Sequence, residues 1–230
     1  MKYSYYYNTI PEAGKVRNNL IYTSLINEDQ TVFVKWFHND SEYHMGMNEV
    51  VDPELMESKW QRELKYTKLM HASHNDLVPR ILDIDEKNKK IYLEIDGVDF
   101  WQKHYDNNCT FEQVLPDWQE QMLDIIEAHK TMGLYKYSMH PSSYFVVNGK
   151  LKSINYFFTY HKDEDAVTLN EFKSHISLER RAKLESIMQN MGLTWDSKVP
   201  FKDMQMLCFE SFRSNYSDNF IDKAKEIYVN

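Results

Sequence analysis

The stretch Leu20–Phe37, LIYTSLINEDQTVFVKWF, decides the fold of the N-terminal part of the chain. It contains two runs rich in β-branched and aromatic residues, Leu20–Ile26 and Thr31–Phe37, and such runs are typical of β-strands. The polar residues between them, Asn27–Gln30, are typical of a turn. The sequence therefore predicts a β-hairpin whose second strand carries a lysine, Lys35, between apolar neighbours.

One helix and two more strands are predicted in the residues that follow this hairpin. The segment Asp52–Glu54 predicts a helix start, because Asp can cap a first turn, Pro suits the first helical position and Glu favours the positive end of the helix dipole. This helix is expected to extend to Met70. Strand patterns cover Arg80–Ile84 and Lys90–Ile95, with a polar turn between them. Residues 1–96 are therefore predicted to form an N-terminal lobe made of an antiparallel sheet and one helix.

Helical patterns dominate the rest of the chain, with one further hairpin. Apolar residues recur at helical spacing through Asp117–Met132, and helical patterns return from Thr168 toward the C-terminus. The dipeptide Asn148-Gly149 is a strong signal for a two-residue hairpin turn. The strands on either side of it are predicted at Tyr144–Val147 and Leu151–Tyr156. Residues 97–230 are therefore predicted to form a helical C-terminal lobe, and the fold class is α+β with two lobes.

The composition excludes several classes of protein. Hydrophobic residues make up 42% and charged residues 27% of the chain, which is typical of a globular protein. The net charge of −8 and the lack of a clustered basic patch argue against nucleic-acid binding, which requires clustered cations. The two cysteines, Cys109 and Cys208, are too few for a disulfide framework, and no uncharged apolar run approaches the roughly 18 residues of a membrane span. We therefore expect a cytoplasmic protein that binds neither nucleic acid nor a membrane.

The order of these elements resembles the protein kinase-like superfamily, including its small bacterial members that phosphorylate sugars, lipopolysaccharide or aminoglycosides. The run VFVKWF (Val32–Phe37) resembles the strand whose lysine binds nucleotide phosphates, which implies this role for Lys35. The run WQRELKYTKLM (Trp60–Met70) resembles the helix that supplies a glutamate partner, which implies that Glu63 holds the lysine in place.

The same resemblance implies an adenine-binding segment. The run KKIYLEIDG (Lys89–Gly97) resembles the last strand of the small lobe and the hinge that follows it. The resemblance places Leu93 at the back of a nucleotide pocket, and the backbone of about Glu94–Asp96, including Glu94 and Ile95, beside the adenine. ATP and Mg²⁺ are the cofactors that such a pocket implies.

The residues at the catalytic positions differ from those of active family members. Ser138 stands where the family has the aspartate that accepts the substrate proton, and Ser143 stands at the position of a metal-binding asparagine. Asn155 replaces the metal-binding aspartate, and His140 stands where a phosphate-facing lysine often lies. Mg²⁺ prefers carboxylate ligands, and loss of a general base typically costs about 10²–10⁴-fold in rate. The resemblance therefore implies impaired phosphoryl transfer.

Three functions follow from these observations. The first is a catalytically impaired kinase-like protein, a pseudokinase, which acts as a binding or regulatory module with weak or absent nucleotide binding. The alternative is an active phosphotransferase on a small molecule or saccharide, with a non-standard metal site and with Lys35, Glu63, His140 and Asn155 as its functional residues. The third is an interaction protein that shares only the fold, because fold does not determine function.

The same residues also fit structural roles. Lys35 fits an edge-strand lysine whose ammonium reaches solvent, and its pairing with Glu63 could serve the fold alone. Ser138 and Ser143 fit loop serines that bond the backbone, and His140 fits a packed histidine. The tyrosines near the start, Tyr3, Tyr5, Tyr6 and Tyr7, fit an outer strand. They also fit a surface for a protein partner, because tyrosine is common in interfaces.

Overall fold

A computed structural model of the chain describes residues 2–6, 8–10, 15–17, 22–38, 53–166, 168–170 and 178–229. The fold is α+β, as the sequence predicts. Two compact units are present, the first comprising Met1–Gln121 and Pro141–Phe158, and the second comprising Met122–His140 and Thr159–Asn230. The kinase-like lobes over residues 1–96 and 97–230 stay a prediction.

Most strands of the first unit form one antiparallel sheet. The strands of this sheet, together with those of a separate two-stranded sheet, are in chain order β1 (Tyr3–Tyr5), β2 (Asn8–Ile10), β3 (Lys15–Arg17), β4 (Thr23–Asn27), β5 (Val32–Trp36), β6 (Ile81–Asp85) and β7 (Lys90–Glu94). The five-stranded sheet has the order β1-β4-β5-β7-β6, and β2 pairs with β3. The predicted outer strand of tyrosines is present as β1 for Tyr3 and Tyr5, whereas Tyr6 follows the strand and Tyr7 lies outside the described residues.

The hairpin predicted from Leu20–Phe37 is confirmed as β4 and β5, which pair antiparallel. Because β5 lies between β4 and β7, both of its edges are hydrogen-bonded, and Lys35 lies opposite Ser24 on one side and Ile91 on the other. Side chains of a strand alternate between the two faces of a sheet, so Phe33 and Lys35 share one face. Lys35 is therefore on a central strand, and the edge position considered from the sequence is wrong.

The first helix, α1 (Pro53–Ser73), begins at Pro53 as predicted, and Asp52 lies outside the described residues. The helix extends one turn beyond Met70. Its buried residues recur at helical spacing, which places one face of the helix in the core. They are Met56, Lys59, Trp60, Glu63, Leu64, Tyr66, Thr67 and Met70. Glu63 is therefore a charged residue on the apolar face of α1.

The remaining elements are mostly helices. In chain order they are α2 (Phe100–Asp106), α3 (Phe111–Val114), α4 (Trp118–Thr131), β8 (Leu134–Lys136), a 3₁₀ turn (Pro141–Ser143), β9 (Tyr144–Val147), β10 (Lys150–Ser153), β11 (Thr159–His161), α5 (Leu178–Asn190), α6 (Phe201–Ser211) and α7 (Asp218–Val229). The predicted helix at Asp117–Met132 is confirmed as α4. Of the helical pattern from Thr168 onward, residues 171–177 lie outside the described part of the chain.

The second hairpin is confirmed as β9 and β10, but its second strand is shorter than predicted. Asn148 and Gly149 have positive φ angles of 52° and 71°, as a primed two-residue turn requires. The strand ends at Ser153 and does not reach Tyr156. The reason is that Asn155 adopts a left-handed conformation, with φ of 69°, which is incompatible with an extended strand.

Two strands of the second unit are absent from the sequence prediction. Strand β8 pairs antiparallel with β11, and each has only three residues. Runs this short do not display a recognisable alternation of polar and apolar residues. The core of this unit includes the rings of Tyr160 and Phe201, whose centroids are 5.1 Å apart in a stacked arrangement.

Candidate functional site

The ion pair predicted between Lys35 and Glu63 is present in the first unit. The Nζ of Lys35, on β5, donates a hydrogen bond to Oε1 of Glu63, on α1. The side chain of Lys35 is 0% exposed and that of Glu63 is 1% exposed. Charges removed from water in this way cost several kcal/mol each unless they are paired and hydrogen-bonded. The other groups in contact with the ammonium and the carboxylate therefore determine whether this pair is stable and what it can bind.

The carboxylate of Glu63 has protein donors on both oxygens. Its Oε2 accepts hydrogen bonds from the backbone N–H groups of Tyr156 and Phe157, at 2.7 and 2.8 Å. Its Oε1, besides bonding Lys35, accepts a longer bond of 3.3 Å from the hydroxyl of Thr67, one turn further along α1. Glu63 thus joins the strand, its own helix and the segment after β10. These bonds replace the water that the carboxylate loses on burial.

The ammonium of Lys35 lies among aromatic rings that we call the aromatic cage: Tyr22, Phe37 and Phe157. Its Nζ is 4.4 Å from the ring centroid of Tyr22, 5.7 Å from that of Phe37 and 5.5 Å from that of Phe157. Such distances allow cation–π attraction, which strengthens away from water. Burial lowers the pKa of Lys35 to about 8, and the Glu63 carboxylate, which favours the charged form, opposes this shift.

Asn155 and Ser143, which the resemblance places at metal-binding positions, bond to each other. Nδ2 of Asn155 donates to Oγ of Ser143 at 2.9 Å, and Oδ1 of Asn155 accepts from the hydroxyl of Tyr22 at 2.6 Å. Both side chains are buried, at 4% and 3% exposure. The left-handed backbone of Asn155 also turns the chain so that the next two N–H groups reach Glu63. The two residues thus form part of the hydrogen-bonded core around the ion pair.

This arrangement offers little to a divalent cation. Magnesium prefers carboxylate oxygens, and the carboxylate of this cluster, Glu63, already accepts bonds on both oxygens. Ser143 and Asn155 are neutral. Among the described residues there is no group of three or more His, Cys, Asp and Glu side chains that could hold a metal ion.

The segment that the resemblance implies to bind adenine is held by backbone hydrogen bonds at the end of β7. Leu93 is 2% exposed, and the backbone N–H groups of Glu94 and Ile95 donate to the carbonyl oxygens of Arg80 and Thr31, each at 2.9 Å. The Glu94 side chain forms an ion pair with Arg80 through two hydrogen bonds of 2.8 and 2.9 Å. The N–H groups that an adenine would use at these two positions therefore already have acceptors.

Ser138 and His140 belong to the second unit. Ser138 is half-buried, and its carbonyl oxygen accepts a hydrogen bond from the ammonium of Lys136. His140 is 9% exposed, and its ring centroid lies 6.3 Å from that of Phe212. The packed position predicted for His140 is therefore observed, and its role at a phosphate stays a prediction.

Several of the groups that surround the Lys35–Glu63 pair were not predicted from the sequence. Tyr22 and Thr67 carry no motif, and the two backbone N–H groups at Tyr156 and Phe157 have no side-chain signal at all. A partial signal exists for Thr67, because it lies four residues after Glu63 on a predicted helix, where side chains are neighbours. For Tyr22, nothing in the local sequence indicates a partner 133 positions away.

No protein-family model matches the chain, and no curated protein sequence matches it. The protein kinase-like superfamily therefore stays a resemblance. A helix long and apolar enough to cross a membrane is not found in the part of the chain that the structure describes.

Proposed function

We propose that this chain is a kinase-like protein without phosphoryl-transfer activity, which acts as a binding or regulatory module and binds nucleotide weakly or not at all. A two-lobed kinase-like arrangement is part of the proposal. Its support is the order of elements: an antiparallel sheet with one helix comes first, and most helices follow residue 97. The pairing of Lys35 on the central strand with Glu63 on that helix adds to it.

The observation that carries the proposal is the complete burial of Lys35. A lysine that binds nucleotide phosphates must present its ammonium to them. Here the ammonium is covered by Glu63 and by the aromatic cage, and its side chain is 0% exposed. Tyr22, the ring nearest to the ammonium, is itself held by its bond to Asn155. The ion pair therefore serves the core of the first unit.

The neutral residues at the metal positions support the same conclusion. Transfer of a phosphoryl group depends on a cation that neutralises charge between the β- and γ-phosphates. Ser143 and Asn155 bring no negative charge to bind such a cation, and they bond each other. The protein would thus lack the two features that bind nucleotide phosphates, which are an accessible lysine and a negatively charged metal site.

A partner protein is the expected ligand of such a module. Strand β1 stands at one end of the strand order of the sheet. Tyr5 on this strand is 41% exposed, and tyrosine is enriched in protein interfaces.

A thermal-shift titration with ATP tests the proposal. The chain is titrated to millimolar ATP alone, with Mg²⁺ and with Mn²⁺, because a ligand at 100 times its dissociation constant raises stability by about 2.7 kcal/mol. We expect no metal-dependent shift and no transfer of the γ-phosphate to water or to sugars.

The matched variants are Lys35→Met and Lys87→Met, the second being an exposed lysine outside the cluster. A small shift without metal agrees with weak nucleotide binding. A metal-dependent shift that is lost in Lys35→Met but kept in Lys87→Met would contradict the proposal. It would favour the alternative, an active phosphotransferase that uses the Lys35–Glu63 pair.

A further inference from the structure

The second unit contains an open cavity of about 460 Å³. Its lining combines lysines with aromatic and aliphatic residues, and includes Lys162, Lys198, Lys202, Glu164, Tyr135 and Phe201. Small-molecule sites commonly have volumes of about 300–1,000 Å³ and pair an apolar lining with a few polar groups. The cavity therefore has the size and the mixed chemistry of a ligand site.

The three lysines come from two parts of the chain: Lys162 from one, and Lys198 with Lys202, four positions apart, from the other. Lys162 follows β11, and its N–H donates to the carbonyl oxygen of Gly133 at 2.8 Å. Lys198 forms an isolated β-bridge with Thr168, and Lys202 lies in the first turn of α6. The fold thus brings Lys162 to the cavity that Lys198 and Lys202 also line.

These three lysines form no ion pair with any described residue, although acidic residues outnumber basic ones in the chain. Elsewhere in the same unit Lys225 donates to Glu210 at 2.6 Å. Like charges placed together repel each other, and a bound anion relieves that repulsion. The arrangement therefore favours a negatively charged ligand.

Gly133 contributes to the position of Lys162. It has a φ of +70°, and a Cβ at this residue would lie 3.0 Å from Cδ of Lys162. The absence of a side chain at Gly133 thus leaves room for the stem of the lysine to lie across the backbone. This close approach positions the side-chain stem, and Lys162 as a residue is exposed.

The apolar part of the lining is a series of aromatic rings. The ring of Phe201 stacks on Tyr160 at 5.1 Å with an interplanar angle of 21°, and lies 5.8 Å from the ring of Tyr135. Tyr135 in turn stacks on Tyr228 at 5.5 Å. Since these rings pack against one another, Tyr135 and Phe201 form a well-packed wall of the cavity. Such a wall suits a flat or apolar group.

One carboxylate limits which anion fits. Glu164 lines the cavity, and its Oε1 accepts a hydrogen bond of 2.9 Å from the backbone N–H of His161. The Glu164 carboxylate offsets part of the positive charge of the lysines, so a singly charged anion gains little binding free energy. A ligand with two or more negative charges is favoured over it.

We propose that this cavity binds a small organic phosphate, with the phosphate among Lys162, Lys198 and Lys202 and the organic group against Tyr135 and Phe201. The site does not depend on the proposed function, because Lys35 and Glu63 belong to the other unit. Nucleotide binding at Lys35 and phosphate binding here can therefore be measured separately.

Calorimetry with phenyl phosphate and with pyrophosphate, at low ionic strength and without metal, tests the proposal. Phenyl phosphate carries both charge and a ring, whereas pyrophosphate carries charge alone. We expect both to bind, phenyl phosphate to be weakened less by added salt, and each to lose about tenfold in affinity when all three lysines are changed to Gln. Glu164→Gln is expected to strengthen pyrophosphate binding by roughly threefold.

The matched control is Lys87→Gln, Lys150→Gln and Lys223→Gln combined, because these exposed lysines change the net charge equally. This control should keep the wild-type affinity within about twofold. Circular dichroism verifies that both triple variants are folded. The proposal is overturned if neither compound binds the wild-type chain at millimolar concentration, or if the control loses as much affinity as the cavity variant.

Discussion

The hydroxyl of Tyr22 donates a hydrogen bond of 2.6 Å to Oδ1 of Asn155, which lies 133 positions further along the chain. The same tyrosine ring lies 4.4 Å from the ammonium of Lys35. One side chain therefore both covers the cation and bonds the residue that the kinase-like resemblance places at a metal-binding position.

Loss of the Tyr22 hydroxyl should destabilise the first unit. In Tyr22→Phe the ring still covers Lys35, but Oδ1 of Asn155 loses its donor while it remains buried, which costs about 1–3 kcal/mol. Urea denaturation measures the change in the free energy of unfolding. The control is Tyr92→Phe, because the Tyr92 hydroxyl forms no hydrogen bond with a described residue. Equal stability of the two variants would show that the bond to Asn155 contributes nothing.

Removing both members of the buried ion pair should cost less than the sum of the costs of removing each one. Lys35→Met leaves the Glu63 carboxylate buried without its cation, and Glu63→Gln leaves the Lys35 ammonium without its anion. Each change is expected to destabilise the chain by about 3–5 kcal/mol, and the double variant by less than the sum. A double-mutant cycle in urea measures the coupling.

The control for this cycle is Arg80→Met, which breaks the exposed pair between Arg80 and Glu94. Exposed pairs contribute little because water screens both charges, so this variant should denature close to the wild type. If the two single variants at Lys35 and Glu63 behaved like Arg80→Met, the pair could not be a major stabilising feature of the core.

Asn155 has two roles that a pair of substitutions can separate. Asn155→Gly keeps the left-handed backbone and loses the bonds to Tyr22 and Ser143, whereas Asn155→Ala loses those bonds and also strains the backbone. We expect Ala to be less stable than Gly by about 1 kcal/mol. The same pair at Asn148, an exposed left-handed turn residue, should show the backbone difference alone. A more stable Ala variant at position 155 would contradict the backbone role.

The acid sensitivity of the second unit should depend on Glu210. Hydrogen bonds from Arg213, and to a lesser extent Lys225, lower the pKa of Glu210 to about 2, against 4.5 for an ordinary glutamate. The folded chain therefore holds this proton less tightly than the unfolded chain. The resulting stability is complete above pH 4.5 and is lost as the pH falls toward 2.

Glu210→Gln should accordingly be less stable than the wild type at pH 7, by roughly 0.5–1 kcal/mol because water screens these partly exposed charges. The difference should shrink between pH 4.5 and 2. Thermal unfolding across this range is the measurement, and Glu226→Gln, an exposed glutamate on α7, is the control. A difference that stayed constant with pH would show that the charge of Glu210 is not its cause.

Local sequence patterns predict much of this fold and one part of the site. The hairpin β4–β5, helix α1 and the turn at Asn148-Gly149 follow from residue types that act within a few positions of one another. The Lys35–Glu63 pair follows from the resemblance, since a lysine on the strand and a glutamate on the helix occupy matching positions. Here sequence and structure agree because the determinants are local or follow a known order of elements.

The other groups around the Lys35–Glu63 pair come together through contacts between residues that are distant in sequence. The bond between Tyr22 and Asn155 joins segments that no local pattern relates. The left-handed φ of Asn155 ended a strand that β-propensity alone extends to Tyr156. The complete burial of Lys35 also required tertiary structure, because a lysine in a strand usually extends its ammonium to solvent.

The central claim, that Lys35 is not available to nucleotide phosphates, is tested most directly by an ATP derivative with an acyl group on its terminal phosphate. Where a lysine lies beside bound phosphates, its amine attacks the acyl carbonyl, an amide forms, and ATP is released as the leaving group. Mass spectrometry of peptides then locates the modified lysine. The account predicts no acylation of Lys35 that ATP suppresses, while exposed lysines such as Lys87 react whether or not ATP is present. Acylation of Lys35 that excess ATP prevents would contradict it.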